Sequence, residues 1–413
     1  MNMKFATIAS LFGALLVLQV SLAAAPPAGD ARTVPDLKPG EALADRPLAD
    51  FQIRLLELAF DAASAIPLDP HIRDRSRSQE QIVAACLELH QPTRAIRFID
   101  KIDDWRRGSA YADCALYCVR NGYFSEARRS CDRADVIAER AEDWRRDAIR
   151  SKIAKARTLL EQSQTDAALE SRASNSATNN GESKPAETVG DDFDAQIASI
   201  NQDIATGDFD LTKAVLESLS NLFDRFYSDL ARRDLVEQKI KSSWAKLPYM
   251  IRIETMMSLA KSAISHNDKS KALELVNQTQ EIIDSQQWLA EDRIPLRARV
   301  ARLRYSAGDA AQARSDADAA LAIFEQEREQ VINIDRAGVL CSVAEAFAAM
   351  GDQSQSLGVY RRAIDAGIEN PNSRPRAEDL ASTCCSMAIS GIEPDADTWA
   401  NLHRIRQGLG QPW

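Results

Sequence analysis

The sequence predicts an all-α protein built from repeated helical hairpins, and three observations support that class. From Leu48 onward, apolar residues recur at spacings of three and four, and Ala, Leu, Glu, Gln and Arg predominate, as in amphipathic helices. No run of alternating β-branched residues is long enough for a strand. Turn signals recur at regular steps along the chain. We therefore expect stacked helix pairs to make up most of the chain.

The repeat is clearest at the turns, where a Gly or Asn interrupts strong helix formers. Three turn signals are separated by 41 and 43 residues, and a fourth follows 40 residues later. These are Asn267-Asp268, Gly308-Asp309, Gly351-Asp352 and Gly391, and similar breaks occur at Gly122 and Gly207-Asp208. Trp105 in DDWRRGSAYADCA also returns as Trp144 in EDWRRDAIRSKIA, 39 residues on. The predicted unit is a helical hairpin every 39 to 43 residues.

Small residues are predicted where helices cross, because close approach of stacked hairpins excludes larger side chains. The alanines expected at these crossings are Ala115, Ala127, Ala260, Ala301, Ala313 and Ala344.

These hairpins resemble the tetratricopeptide repeat (TPR) family, whose unit has a Trp-x-x-Leu-Gly-x-x-Tyr first helix, a Gly-Asp turn, and an Ala-x-x-x-Phe second helix with another Ala before a closing Pro. One matching unit contains Tyr111, Cys114, Ala115, Cys118, Gly122, Ala127, Cys131 and Ala134, and another contains Leu340, Val343, Ala344, Phe347, Gly351-Asp352, Ser356, Tyr360 and Ala363. The resemblance implies a right-handed α-solenoid with a concave groove. The family's Trp and closing Pro are absent, so longer second helices account for a period above about 34 residues.

The chain divides into five predicted segments. Residues 1–23 form a signal peptide, 24–47 a flexible leader, 48–162 an N-terminal TPR-like helical block, 163–192 a disordered linker and 193–413 a C-terminal TPR-like helical block. The linker prediction rests on a polar stretch rich in Ser, Asn and Ala that cannot bury enough apolar surface to order itself.

The signal prediction rests on the order of three features. Lys4 precedes the charge-free stretch FATIASLFGALLVLQV, and SLAAA then places Ser21 and Ala23 at the small-residue positions before a cleavage site. We expect an exported protein, periplasmic or secreted, with a bacterial-type signal and no membrane contact after cleavage. An uncleaved anchor is the alternative, although the apolar run is shorter than the ~20 residues of a spanning helix.

Charge and motifs narrow the function classes. The net charge is −10, from 51 basic and 61 acidic residues, and the basic residues are scattered, which disfavours nucleic acid as a partner. His71, His90, His266 and His403 are dispersed, and no phosphate loop, zinc-protease helix or nucleophile elbow occurs. We therefore expect no catalytic residue, no cofactor and no metal.

The seven cysteines allow three interpretations. Cys114, Cys118 and Cys131 fall on core positions of one hairpin, where cysteine behaves as a small buried hydrophobe. Export also permits a disulfide between the two helices, for which Cys118 and Cys131 are the preferred pair. A reactive or metal-binding cluster is the third interpretation.

Six residues on the first helices of successive hairpins are predicted to face the groove and bind a partner. They are Met257, Lys261, Arg302, Tyr305, Cys341 and Glu345. A mixed apolar and charged groove suits a peptide or protein segment, although the same residues could pack between repeats or face solvent. The sequence thus predicts an exported non-catalytic scaffold for protein partners. An exported polysaccharide-active enzyme with carboxylates in the groove of a helical solenoid or toroid is the alternative, and a membrane-tethered assembly factor is a third class.

Overall fold

A computed structural model describes residues 43–176, 193–206, 209–243 and 247–413 of the chain. Within these ranges every regular element is helical and no strand occurs, so the predicted all-α class is confirmed. Two compact units contain these helices: residues up to 179 group with residues 357–413, and residues 180–356 form the other unit.

The first unit contains the helices from both ends of the chain. They are α1 (Asp50–Ala65), α2 (Ile72–Glu88), α3 (Pro92–Ile99), α4 (Arg106–Arg120), α5 (Phe124–Ala138), α6 (Asp143–Ser176), α16 (Ser373–Ser390) and α17 (Ala396–Gln407). Helix α15 (Gln353–Ile368) begins in the second unit and continues into the first.

The second unit is a run of consecutive antiparallel hairpins. Its helices are α7 (Phe193–Thr206), α8 (Phe209–Arg225), α9 (Leu230–Ser242), α10 (Tyr249–Ser265), α11 (Lys269–Asp284), α12 (Ala290–Ser306), α13 (Ala310–Glu327) and α14 (Asn333–Ala349). Helix α12 packs against its hairpin partner α13 and against the first helices α10 and α14 of the neighbouring hairpins.

Left-handed residues form the hairpin turns. Six turn residues have φ between 56° and 100°: His90, Gly122, Asn267, Gly308, Gly351 and Gly391. In each turn the following amide donates to a carbonyl five positions earlier, as in Tyr123 N to Cys118 O at 2.8 Å, which satisfies a carbonyl that the ending helix leaves free. The turns predicted at these glycines and at Asn267 are confirmed, and Gly207-Asp208 lies outside the described residues.

At the other end of three hairpins, the side chain of an arginine donates to a backbone carbonyl. The sequence analysis did not single out these arginines. The guanidinium of Arg146 donates to the carbonyl of Ala141 at 2.8 and 3.0 Å, Arg252 to Leu247 at 3.0 Å, and Arg336 to Val331 at 2.9 Å. Each acceptor belongs to a buried residue five positions before the arginine. These charge-assisted bonds satisfy carbonyls that would otherwise be buried without a partner.

Close helix approach is confirmed by the small residues. The six predicted crossing alanines are all 0% exposed. A Cβ placed on Gly108 of α4 would lie 2.9 Å from Ile149 Cδ1 and 3.0 Å from Ile137 Cγ2. Small side chains are therefore required where successive hairpins stack.

Part of the segment that was predicted as a linker is helical. Helix α6 runs to Ser176, so the linker predicted from residue 163 begins as helix, because Ala, Leu, Glu, Gln and Arg in this stretch extend a helix that is already nucleated by packing. Residues 177–192 of that linker lie outside the described residues, as do residues 1–42 with the predicted signal.

The end of the predicted flexible leader is fixed to the fold. Arg46 N donates to His90 O at 3.0 Å, and Asp45 accepts a bond from Thr93 N at 2.7 Å in the first turn of α3. A carboxylate at the start of a helix satisfies amide groups that have no intrahelical partner, so residues 45 and 46 belong to the first unit.

The predicted C-terminal block also differs from the units observed. Residues 357–413 group with the N-terminal helices because α1 packs along α16. Gln52 Nε2 donates to Ala388 O at 2.8 Å, and Arg406 of α17 pairs with Asp61 of α1 at 2.6 Å. A local pattern of repeats does not predict such long-range pairing.

No helix in the described part of the chain is both long and apolar enough to cross a membrane.

Candidate partner-binding surface

The six predicted groove residues lie on three first helices of the second unit. Met257 and Lys261 are on α10, Arg302 and Tyr305 on α12, and Cys341 and Glu345 on α14. The structure joins two of them directly: Arg302 Nη1 lies 2.7 Å from Glu345 Oε2. Lys261 and Tyr305 are half-buried.

Two of the six are buried rather than presented to a partner. Met257 is 1% exposed and belongs to the core of the second unit, and Cys341 is 4% exposed. Each first helix contacts its own hairpin partner and neighbouring first helices, so only a narrow strip of its surface stays accessible. The apolar residues at the border of that strip are covered, and the charged and aromatic residues remain.

A second ion pair, which the sequence analysis missed, continues the strip onto α10. Arg299 of α12 donates to both carboxylate oxygens of Glu254 at 2.5 and 2.6 Å. Such a bidentate pair fixes the relative orientation of the two side chains. The pair spans 45 residues, and the Arg302–Glu345 pair spans 43. The Arg302–Glu345 span lies within the predicted repeat of 39 to 43 residues and the Arg299–Glu254 span is slightly longer, so a search for opposite charges about one repeat apart could have found both pairs.

The two ion pairs, together with the half-buried Lys261 and Tyr305 of the same helices, form a surface called the first-helix face. It comprises Glu254, Lys261, Arg299, Arg302, Tyr305 and Glu345. Charges of both signs and one phenol occupy adjacent helices, so the face can donate to carbonyl groups, accept from amides and pair with either charge of a bound chain. Its ion pairs are 19–29% exposed, which lets a ligand compete for them.

The first unit carries similar contacts between its own first helices. Lys152 Nζ of α6 lies 2.7 Å from Asp113 Oδ2 and 2.7 Å from Ser109 Oγ, both on α4. Burial raises the pKa of the Asp113 carboxyl, and the neighbouring Lys152 opposes that shift. Polar contacts one repeat apart are thus a property of both units.

The polysaccharide-active alternative requires a pair of carboxylates, and one cluster in the first unit contains two of them. Asp74 and Arg77 of α2 face Arg374 and Glu378 of α16, with Arg77 Nη2 at 2.9 Å from Asp74 Oδ1 and 3.4 Å from Glu378 Oε1. Burial raises the pKa of Glu378, and the two arginines oppose that shift. Each carboxylate is held by guanidinium groups, an arrangement that links two helices.

Two of the histidines are held at turns. His90 Nδ1 lies 3.0 Å from the Tyr117 hydroxyl, and burial, followed by the charge of Arg46, lowers the pKa of His90. His266 stacks on Tyr227 at 4.3 Å and its Nε2 lies 3.2 Å from Asp224 Oδ1. Among the described residues no group of His, Cys, Asp and Glu is arranged to hold a metal ion.

All seven cysteines are buried free thiols in the structure. The structure joins none of them in a disulfide, and the bridge between Cys118 and Cys131 stays a prediction that thiol counting tests. A hydrogen bond with Cys114 and then burial raise the pKa of Cys118, and burial raises the pKa of Cys131. Protonated, buried thiols are poor nucleophiles, which favours the interpretation of these residues as small core side chains.

Thiol titration of the denatured, unreduced protein is expected to give seven thiols per chain, because every cysteine is free in the fold. The native protein is expected to react far more slowly, since all seven thiols are buried from the reagent. A count lower by two after denaturation, restored by prior reduction, would contradict the free-thiol structure and support a bridge.

The chain matches no protein-family model and no curated protein. The resemblance of its hairpins to TPR units accordingly stays a prediction from the residues.

Proposed function

We propose that the protein is an exported, non-catalytic TPR-like scaffold, a right-handed solenoid that binds a peptide or protein segment on the first-helix face. The observation that carries the proposal is the continuous polar strip across α10, α12 and α14, in which Arg299–Glu254 and Arg302–Glu345 join adjacent helices. Lys261 and Tyr305 lie half-buried on the same helices.

The spacing of these helices suits an extended ligand. Packed helices lie about 8–10 Å apart, and an extended chain rises about 3.3 Å per residue. A peptide crossing the three helices therefore meets a new helix at roughly every third residue, by these same spacings. We expect preferred ligands to place polar or charged side chains at that interval.

The N-terminal sequence supports the proposed export. Lys4, the following apolar stretch and the small residues ending at Ala23 are its basis. N-terminal sequencing of the protein recovered from an exporting cell tests it, and a mature chain that begins at Ala24 is the expected result. Retention of Met1 on membrane-bound protein would support the tethered alternative.

Affinity capture with the exported full-length protein tests the binding surface. Tyr305→Ala is expected to weaken capture of the bound partner several-fold, because tyrosine is enriched among the interface residues whose truncation costs more than ~1 kcal/mol of binding free energy. The charge swap Arg302→Glu with Glu345→Arg keeps an ion pair between α12 and α14 but reverses its direction, so a folded protein with altered partner selection is expected.

The control for folding is the single variant Arg302→Glu. It places two carboxylates together and should lower thermal stability, whereas the swap should restore it. Retention of the same partners by both Tyr305→Ala and the swap, with normal melting curves, would contradict binding at the first-helix face.

A further inference from the structure

The second unit exposes large apolar side chains where two of its first helices begin. Leu289 is 63% exposed before α12, and Ile332 and Ile334 are 52% and 53% exposed at the start of α14. The two helices pack against each other. These three residues are called the apolar edge. Single exposed apolar residues are common on protein surfaces, whereas a group of large exposed side chains often marks an interaction site.

Two of the three residues of the apolar edge occupy positions where a polar residue would stabilise the helix. Leu289 and Ile332 are the N-cap residues of α12 and α14, and neither can accept a bond from the first turn. Asp268 and Asp309 do accept such bonds at the starts of α11 and α13. An apolar N-cap in place of Ser or Asp costs about 1 kcal/mol, so Leu289 and Ile332 do not stabilise the helices that they begin.

Three carboxylates flank the apolar edge. Glu291 and Asp292 lie in the first turn of α12, and Asp335 lies in the first turn of α14. Burial raises the pKa of Asp335, and the negative charges of Glu291 and Asp292 raise it further, so these two carboxylates lie close enough to repel the charged form of Asp335. In the part of the chain that the structure describes, none of the three forms an ion pair.

The arginines closest in sequence are occupied elsewhere. Arg293 binds both oxygens of Glu327 at 2.6 Å, and Arg336 donates to the Val331 carbonyl at 2.9 Å. The apolar edge therefore has an excess of uncompensated negative charge around exposed branched side chains.

We propose that the apolar edge and its three carboxylates form a docking surface for a basic amphipathic helix of a partner protein. Leucine-sized side chains of such a helix at i, i+3 and i+7 would cover Leu289, Ile332 and Ile334. Lysines or arginines beside them would pair with Glu291, Asp292 and Asp335. A second copy of this surface would bring like charges together, and an anionic bilayer would be repelled. The proposal is independent of the first-helix face.

Fluorescence anisotropy with labelled synthetic peptides and the full-length protein tests this surface. The probes are an amphipathic helix with leucines on one face and lysines on the other, and the same helix with glutamate in place of lysine. The lysine peptide is expected to bind with a strong salt dependence, and the glutamate peptide is not. The double variant Leu289→Ser with Ile332→Ser is expected to weaken binding by at least about tenfold.

The double variant is expected to fold, because neither substitution destabilises its helix. Serine at an N-cap stabilises a helix relative to leucine or isoleucine, so the melting temperature should hold or rise while affinity falls. Leu230→Ser is the matched control, because Leu230 is also in the second unit, at the start of α9, and is 61% exposed. It is expected to leave peptide binding unchanged.

Several results would overturn the proposal. They are equal binding of the lysine peptide by the double variant, equal binding of the glutamate peptide by the wild type, and an equal loss of affinity in Leu230→Ser. Sedimentation showing a wild-type dimer that the double variant loses would assign the surface to a second copy. Flotation with phosphatidylcholine vesicles that depends on Leu289 and Ile332 would assign it to a lipid surface.

Discussion

Replacing Glu237 by alanine is expected to destabilise the second unit by about 3 kcal/mol, because it leaves a poorly exposed cation without its principal partner. Glu237 Oε2 lies 2.7 Å from Lys271 Nζ, and the two side chains are 7% and 13% exposed. Its other oxygen accepts a bond from Lys241 at 2.5 Å. The contact joins α9 to α11, so two consecutive second helices lose a shared anchor.

The same carboxylate should make stability depend on pH. Burial alone would raise the pKa of Glu237, but its bonds to Lys241 and Lys271 outweigh burial and lower it. A carboxyl with a lowered pKa in the fold contributes stability above its ordinary pKa and loses that contribution as the pH falls through the lowered value. The difference in unfolding free energy between wild type and Glu237→Gln is therefore expected to shrink on acidification.

Urea denaturation at neutral and acidic pH measures both effects, and Glu274→Ala is the control. Glu274 also pairs with Lys271, at 3.0 Å, but is 50% exposed, and exposed pairs contribute at most about 1 kcal/mol. Equal losses for Glu237→Ala and Glu274→Ala at neutral pH would contradict the assigned role of the buried pair.

Ala301→Leu is expected to lower the free energy of unfolding by about 1–3 kcal/mol through overpacking. Ala301 is 0% exposed on α12, which packs against α13 on one side and against α14 on another. Three additional carbon atoms cannot enter a core at native packing density unless neighbouring helices move apart. The measurement is thermal or urea unfolding of the full chain.

A matched substitution separates overpacking from any general effect of leucine. Ala311 is exposed in the first turn of α13, in the same hairpin, and Ala311→Leu is expected to change stability by less than about 0.5 kcal/mol. An unchanged midpoint for Ala301→Leu would mean that the crossing has room for a larger side chain, and the stacking account of the alanines would be wrong.

The fold was predictable where its causes are local. Gly308 and Gly351 have positive φ, which glycine adopts without strain, so turns could be predicted at these residues. The spacing between the turns gave the predicted hairpin period. Alanines placed by that period were buried as predicted. The extent of α6 was not predicted, because a polar, Ala-rich sequence is compatible both with helix and with an unstructured linker.

The positions of the residues in the proposed partner-binding surface were predictable only in part. Arg302, Tyr305 and Glu345 lie on accessible first helices, whereas Met257 and Cys341 are buried. A helical period gives the face on which a residue lies, but the depth of burial depends on how closely the neighbouring helices approach. The apolar edge was missed because Leu289 and Ile332 continue an apolar pattern that usually means core.

By itself, the sequence determined the helical class, the hairpin turns and the small residues at the crossings, since these depend on backbone conformation and on side-chain size. Only the tertiary structure decided that α1 packs on α16, that Arg299 pairs with Glu254, and which carboxylates have no ionic partner. Those contacts join residues far apart in the chain. Their geometry depends on the rotation and separation of whole helices, which no local spacing encodes.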